Sequence, residues 1–162
     1  MKRQKSILIL DDEPEIANYL QDLLSPIYEE VISCTSVDKA KEYAQQRPFS
    51  LIITDIMIPG MLGHEFIQYT RSIGRIEPMM FVTGNATREV LLAAVRLGIY
   101  DVIEKPFNEK DLLSSVERII EIDKRKSSLN ETSNTEEKSI ESTYLNKKII
   151  GLLHAITAKK AM

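Results

Sequence analysis

The chain has 162 residues, enough for one ordinary domain, and its 43% hydrophobic content suits a soluble protein with a packed core. A formal charge of -3 argues against a direct grip on DNA, which would want a basic surface. Cys34 is the only cysteine, which excludes an internal disulfide or a cysteine-rich metal site and reads as a reduced, packed thiol of a cytoplasmic protein.

The basic start, Met1-Lys2-Arg3-Gln4-Lys5, leads into an apolar run of only Ile7 to Leu10. That run is too short for a signal-peptide core or a membrane helix, so no membrane association is expected, and it predicts a first strand. Ile16, Tyr19, Leu20, Leu23 and Leu24 then recur at helical steps, with Pro14 suited to the first turn. Val31-Ile32 predicts a second strand, Val37, Ala40 and Ala44 a second helix, and Leu51-Ile52-Ile53 a third strand. Phe66, Ile67 and Tyr69 mark a short third helix, and Met79-Met80-Phe81-Val82 a fourth strand. A fourth helix follows through Val90, Leu91, Ala94 and Val95, with Gly98 placed to end it in a left-handed cap. Val102-Ile103 predicts the fifth strand. Asn108 is set to cap a fifth helix with the stripe Leu112, Val116, Ile119 and Ile120, whose negative end suits Lys124, Arg125 and Lys126.

Most of the strand runs are nearly unbroken in apolar character, as expected of strands buried on both faces. Five of them alternating with helices predict a doubly wound α/β domain with a parallel sheet, over residues 1–126. Residues 127–142 are rich in Ser, Asn, Thr and Glu and read as a flexible linker. Residues 143–162 form an amphipathic tail helix through Leu145, Ile149, Leu152, Leu153 and Ile156. It is too short for a DNA-binding or catalytic domain, and is read as docking on its own domain, on a second copy to give a homodimer, or on another protein.

Polar residues interrupt the pattern where strands end: Asp11, Asp12 and Glu13 after the first, Asp55 after the third, Thr83 in the fourth and Lys105 after the fifth. Ligand sites of open α/β sheets form at those carboxyl ends. If the first and third strands are neighbours, Asp11, Asp12 and Asp55 converge, and three carboxylates together call for a cation. Oxygen ligands without His or Cys suit Mg²⁺. Lys105 and Thr83 then offer a point charge and a hydroxyl donor to a phosphoryl group carried by a carboxylate nucleophile.

Ile9-Leu10-Asp11-Asp12-Glu13-Pro14, Thr54-Asp55-Ile56-Met57-Ile58-Pro59-Gly60-Met61 and Lys105-Pro106-Phe107 resemble the receiver domains of two-component response regulators, with Thr83-Gly84 at the family's hydroxyl position. The resemblance covers residues 5 to about 123. It implies a flavodoxin-like strand order 2-1-3-4-5, Asp55 as phosphoacceptor, and Mg²⁺ held by Asp11, Asp12, Asp55 and the backbone carbonyl of Met57. It also implies that Thr83 and Lys105 read the phosphoryl group and that Lys105–Pro106 is cis. The donor it implies is a histidine kinase or phosphotransfer protein, and the output an unidentified protein partner. Such a chain assists its own phosphoryl transfer and dephosphorylation but is not a conventional enzyme.

Where receivers commonly carry Tyr or Phe as a rotameric switch, this sequence has Val102, stiff about χ1. Tyr100, two residues earlier, is expected on the same strand face, and Gly84 is expected to leave Thr83 room to move. The rival reading is therefore a scaffold of the same fold that no longer switches and binds partners through its tail. A phosphohydrolase using Asp55 as nucleophile ranks below both, since turnover needs a second acid or base and the sequence adds no cap domain for substrate.

Overall fold

The computed structural model describes residues 3–129 and 135–161. Five parallel strands form the sheet: β1 (Arg3–Leu10), β2 (Tyr28–Cys34), β3 (Leu51–Thr54), β6 (Met79–Thr83) and β7 (Asp101–Glu104), in the order β2-β1-β3-β6-β7. Counting only these strands, the order is 2-1-3-4-5, so the expected doubly wound, flavodoxin-like architecture is the observed one. Between β3 and β6 lies a two-stranded antiparallel hairpin absent from the sequence reading, β4 (Met57–Ile58) and β5 (Met61–Leu62), turned at Gly60 with φ +85°. Its strands are two residues long, too short to carry a period.

The helices are α1 (Pro14–Leu24), α2 (Val37–Gln46), α3 (Gly63–Ser72), α4 (Arg88–Arg96), α5 (Glu109–Leu129) and α6 (Thr135–Ala161). Their starts are set by side chains that satisfy otherwise unpaired amide groups. Ser36 accepts from Lys39 N, Thr87 from Val90 N, and Asn108 from Lys110 N. Pro14 opens α1, where its missing N–H costs nothing. Gly98, at φ +67°, ends the α4 segment in the left-handed conformation its sequence position suggested.

Alternation along each strand splits the core in two. Leu8, Leu10, Ile52, Met79, Phe81 and Val102 face one layer, with α2, α3 and α4. Ile7, Ile9, Leu51, Ile53, Met80, Val82 and Ile103 face the other, with α1 and α5. Each such side chain, fully withdrawn from water, contributes about 1.5–3 kcal/mol. This double burial is why the strand runs carry no polar alternation.

Two departures concern the C-terminal region. The segment 127–142, expected to be a flexible linker, is helical at both ends: α5 continues to Leu129 and α6 already starts at Thr135. The rest of the expected linker, 130–134, lies outside the described residues. The tail helix docks on its own domain: Ile149 is buried, and Leu152, Leu153 and Ile156 pack against the core layer that contains α4. None of the described helices is long and apolar enough to cross a membrane.

Candidate functional site

The site is built at the carboxyl ends of four neighbouring strands, β1, β3, β6 and β7. Asp11 and Asp12 follow β1, Asp55 follows β3, and Lys105 follows β7. The pairing of Leu10 with Thr54 fixes Asp11 and Asp55 side by side. Backbone bonds lock that register: Asp55 N donates to Leu10 O at 3.0 Å and Asp11 N to Cys34 O at 3.2 Å. Carboxylate oxygens of Asp11, Asp12 and Asp55 all lie within 4.8 Å of one another. Thr83 closes β6 and is fully buried. Its Oγ1 accepts from Asn85 N at 3.2 Å, and its carbonyl accepts from Lys105 N at 2.9 Å. The Lys105–Pro106 peptide is cis.

The electrostatics are unbalanced. Lys105 Nζ lies 2.7 Å from Asp11 Oδ2 and 3.1 Å from both Asp55 Oδ2 and Glu13 Oε1. Burial opposes the ammonium charge, yet bonds to Asp11, Glu13 and Asp55 together hold its pKa above the ordinary lysine value. For Asp11 burial wins: its carboxyl is raised above the usual range, although Lys105 and the Glu13 amide pull it down. Asp11, Asp55 and Glu13 thus share one ammonium, and Asp12 adds a fourth carboxylate to the cluster.

A divalent cation fits this donor set. Asp11 Oδ2 is buried and, despite its ion contact with Lys105, has no hydrogen-bond partner of good geometry. Hard carboxylate oxygens in a cluster without His or Cys are the ligands Mg²⁺ prefers.

Glu13 is the site residue that sequence reading left unassigned. It is exposed and adjoins the acidic pair, so nothing in its own pattern distinguishes it from a solvated turn; only the geometry brings its carboxylate to Lys105. One reading of the neighbourhood needs correction. Tyr100 does not share a face with Val102: it precedes β7, outside the strand alternation, and packs with the α1–α5 layer while Val102 faces the α4 layer. A methyl at Gly84 would meet no heavy atom within 4 Å other than those of its chain neighbours.

A doubly wound sheet with this acidic pocket at its carboxyl edge defines a receiver-type signalling module. Residues 7–117 match the response regulator receiver domain family, and the chain belongs to it. It is 31% identical over 106 residues to the response regulator protein PilR of Pseudomonas aeruginosa, covering 65% of this chain and 24% of that protein. The regulatory protein VanRB of Enterococcus faecalis is 31% identical over 114 residues, 70% of this chain and 51% of that protein. The chain therefore spans about half or less of these relatives' lengths. Among solved structures, a CheY-like receiver domain from Methanospirillum hungatei superposes with a TM-score of 0.71 at 26% identity, covering 76% of this chain and 99% of that one. The chemotaxis regulator CheY4 of Vibrio cholerae gives 0.65 at 28% identity, over 72% and 99%. The family match ends at residue 117, so α6 lies outside it.

Proposed function

We propose that the chain is a phosphorylation switch in a two-component or phosphorelay system, with Asp55 as the phosphoacceptor. A carboxylate oxygen of Asp55 attacks the phosphorus of a phosphohistidine on a kinase or phosphotransfer protein. The P–N bond breaks, its electron pair returns to the imidazole, and an acyl phosphate remains on Asp55. Lys105, already 3.1 Å from Asp55 Oδ2, turns to the new phosphoryl oxygens, and Thr83 offers its hydroxyl to them. Asp11, Asp12, Asp55 and the Met57 carbonyl would hold Mg²⁺, which supplies charge neutralisation for the transferring group. The output is a protein contact, and the reading includes a cytoplasmic location, which the unpaired thiol of Cys34 supports.

The observation that carries this reading is the cluster of Asp11, Asp12 and Asp55 at the carboxyl edge of the sheet, where Lys105 alone bridges Asp11, Asp55 and Glu13, an excess of negative charge that a cationic ligand balances. The test is intact mass after incubation with acetyl phosphate, with and without Mg²⁺, beside Asp55→Asn. One phosphoryl group that requires both Mg²⁺ and Asp55 is expected. No adduct, under conditions that label a known receiver, would overturn it in favour of a scaffold that does not switch. Val102, buried where an aromatic switch commonly stands, is the observation that favours this second reading.

A further inference from the structure

β7 is one of the two edge strands of the sheet, and α6 packs beside it. Two stripes of α6 make the contact. Ile149, Leu152, Leu153 and Ile156, at helical spacing, pack into the apolar layer that contains Val102 and α4. Tyr144, Lys148 and Leu152, four residues apart, line a cleft of about 570 Å³ against β7 and α5. Beside the lining residue Val102 stands Asp101, fully buried at the start of β7. Its carboxylate accepts from Lys148 Nζ of α6 at 2.6 Å, from Arg118 of α5 at 3.0 Å, from the Ser115 hydroxyl and from Val102 N at 2.8 Å. The Arg118 guanidinium in turn lies 3.7 Å from the centre of the Tyr144 ring. A helix is thus held by a buried anion, a cation–π stack and an apolar seam, all on one face.

We propose that α6 is an intramolecular ligand of the α4–β7–α5 face: a latch that any partner of this face must displace, and that phosphorylation of Asp55 loosens. A displacing partner would need the same chemistry, an amphipathic helix with a lysine one turn after an aromatic residue. The coupling runs through β7 itself. This strand is four residues long, with the latch acceptor Asp101 at its start and Lys105 directly after its end. Its second residue, Val102, pairs with Phe81 of β6 and shares an apolar cluster with Ile149 of α6. When Lys105 leaves three carboxylates for a phosphoryl group, the strand that anchors α6 is pulled from its far end. The trigger rests on the phosphorylation reading; the docking does not.

The test uses the full chain. It contains no tryptophan, so Tyr144→Trp gives a single emitter on Arg118. Lys148→Glu, which turns the attraction to Asp101 into repulsion, should speed backbone hydrogen exchange across 144–156 by about tenfold or more, because an undocked helix is only marginally formed in water. Tyr144→Ala should act in the same direction, and wild-type exchange in both variants would overturn the docking. Acetyl phosphate with Mg²⁺ should then speed exchange in the wild type and red-shift emission of the Trp variant, with Asp55→Asn unresponsive. An adduct at Asp55 with α6 unmoved overturns the latch and leaves the phosphorylation reading standing; no adduct overturns the trigger and that reading together.

Discussion

The two ends of β7 present buried carboxylates in opposite states of compensation. At its start, Asp101 meets two cations, a hydroxyl and a backbone N–H, all supplied by the chain. Past its end, Asp11 and Asp55 share one ammonium with Glu13, and Asp11 Oδ2 has no hydrogen bond of good geometry beyond its ion contact with Lys105. A buried anion whose partners are all internal is a joint, since the folded chain already meets its desolvation cost. A buried anionic cluster left short of cations is a binding site.

Substitution should separate these states most widely. Asp101→Ala removes the acceptor shared by α5 and α6 and should destabilise the protein by about 3 kcal/mol, read from urea unfolding. Asp11→Asn should do the reverse and raise stability in EDTA. Its ionised form is disfavoured in the fold, since burial holds its carboxyl pKa above the unfolded value. The native state therefore keeps more protons than the unfolded one on that group, and its contribution to stability falls as pH rises out of the acid range. A loss of stability in Asp11→Asn would break the contrast.

Truncation of the apolar seam is expected to come next. Ile149→Ala should cost about 2 kcal/mol, at the low end for a buried isoleucine because α6 packs at the surface. If α6 detaches without unfolding the sheet, hydrogen exchange will show the loss in α6 while the urea midpoint of the sheet moves less.

Magnesium should act on one end alone. At ten times its dissociation constant it should stabilise the wild type by about 1.4 kcal/mol, and equally so in Lys148→Glu, but not in Asp12→Ala. An equal response from Asp12→Ala would place the ion elsewhere.

The same contrast explains what the sequence disclosed. Asp11, Asp12, Asp55, Thr83 and Lys105 stand out because polar residues break apolar strands at their carboxyl ends, where sheet geometry predicts a site. Asp101 also borders a strand, but at the amino end, and a polar residue there reads as an ordinary turn. Its partners Ser115, Arg118 and Lys148 lie 14, 17 and 47 residues away (101 to 115, 118 and 148), and no local pattern links them. The strands themselves were legible because an unbroken apolar run is a local signal. The side on which Tyr100 packs was not, since it depends on where β7 begins. Nor was the start of α6, because Ser, Thr and Glu are compatible with both linker and helix.

The smallest effect is a rate, and Cys34 reports it at the acidic end. Its carbonyl accepts from Asp11 N at 3.2 Å, and its buried thiol donates to Ile9 O at 3.3 Å. Burial pushes the thiol pKa up from 9.0 to about 12, so at pH 8 the folded protein offers almost no thiolate to a disulfide reagent. Labelling then requires opening around β1 and β2, after which the thiol ionises normally. Magnesium at ten times its dissociation constant should slow that labelling by about tenfold if the opening releases the ion. Lys148→Glu, acting at the other end of β7, should leave the rate unchanged. Above pH 9.0 the unfolded thiol loses its proton while the native one keeps it, so Cys34 takes stability away as pH rises, and Cys34→Ser should flatten that decline. Equal slowing of labelling in Asp12→Ala would mean that the ion protects the strands from a site other than the acidic cluster.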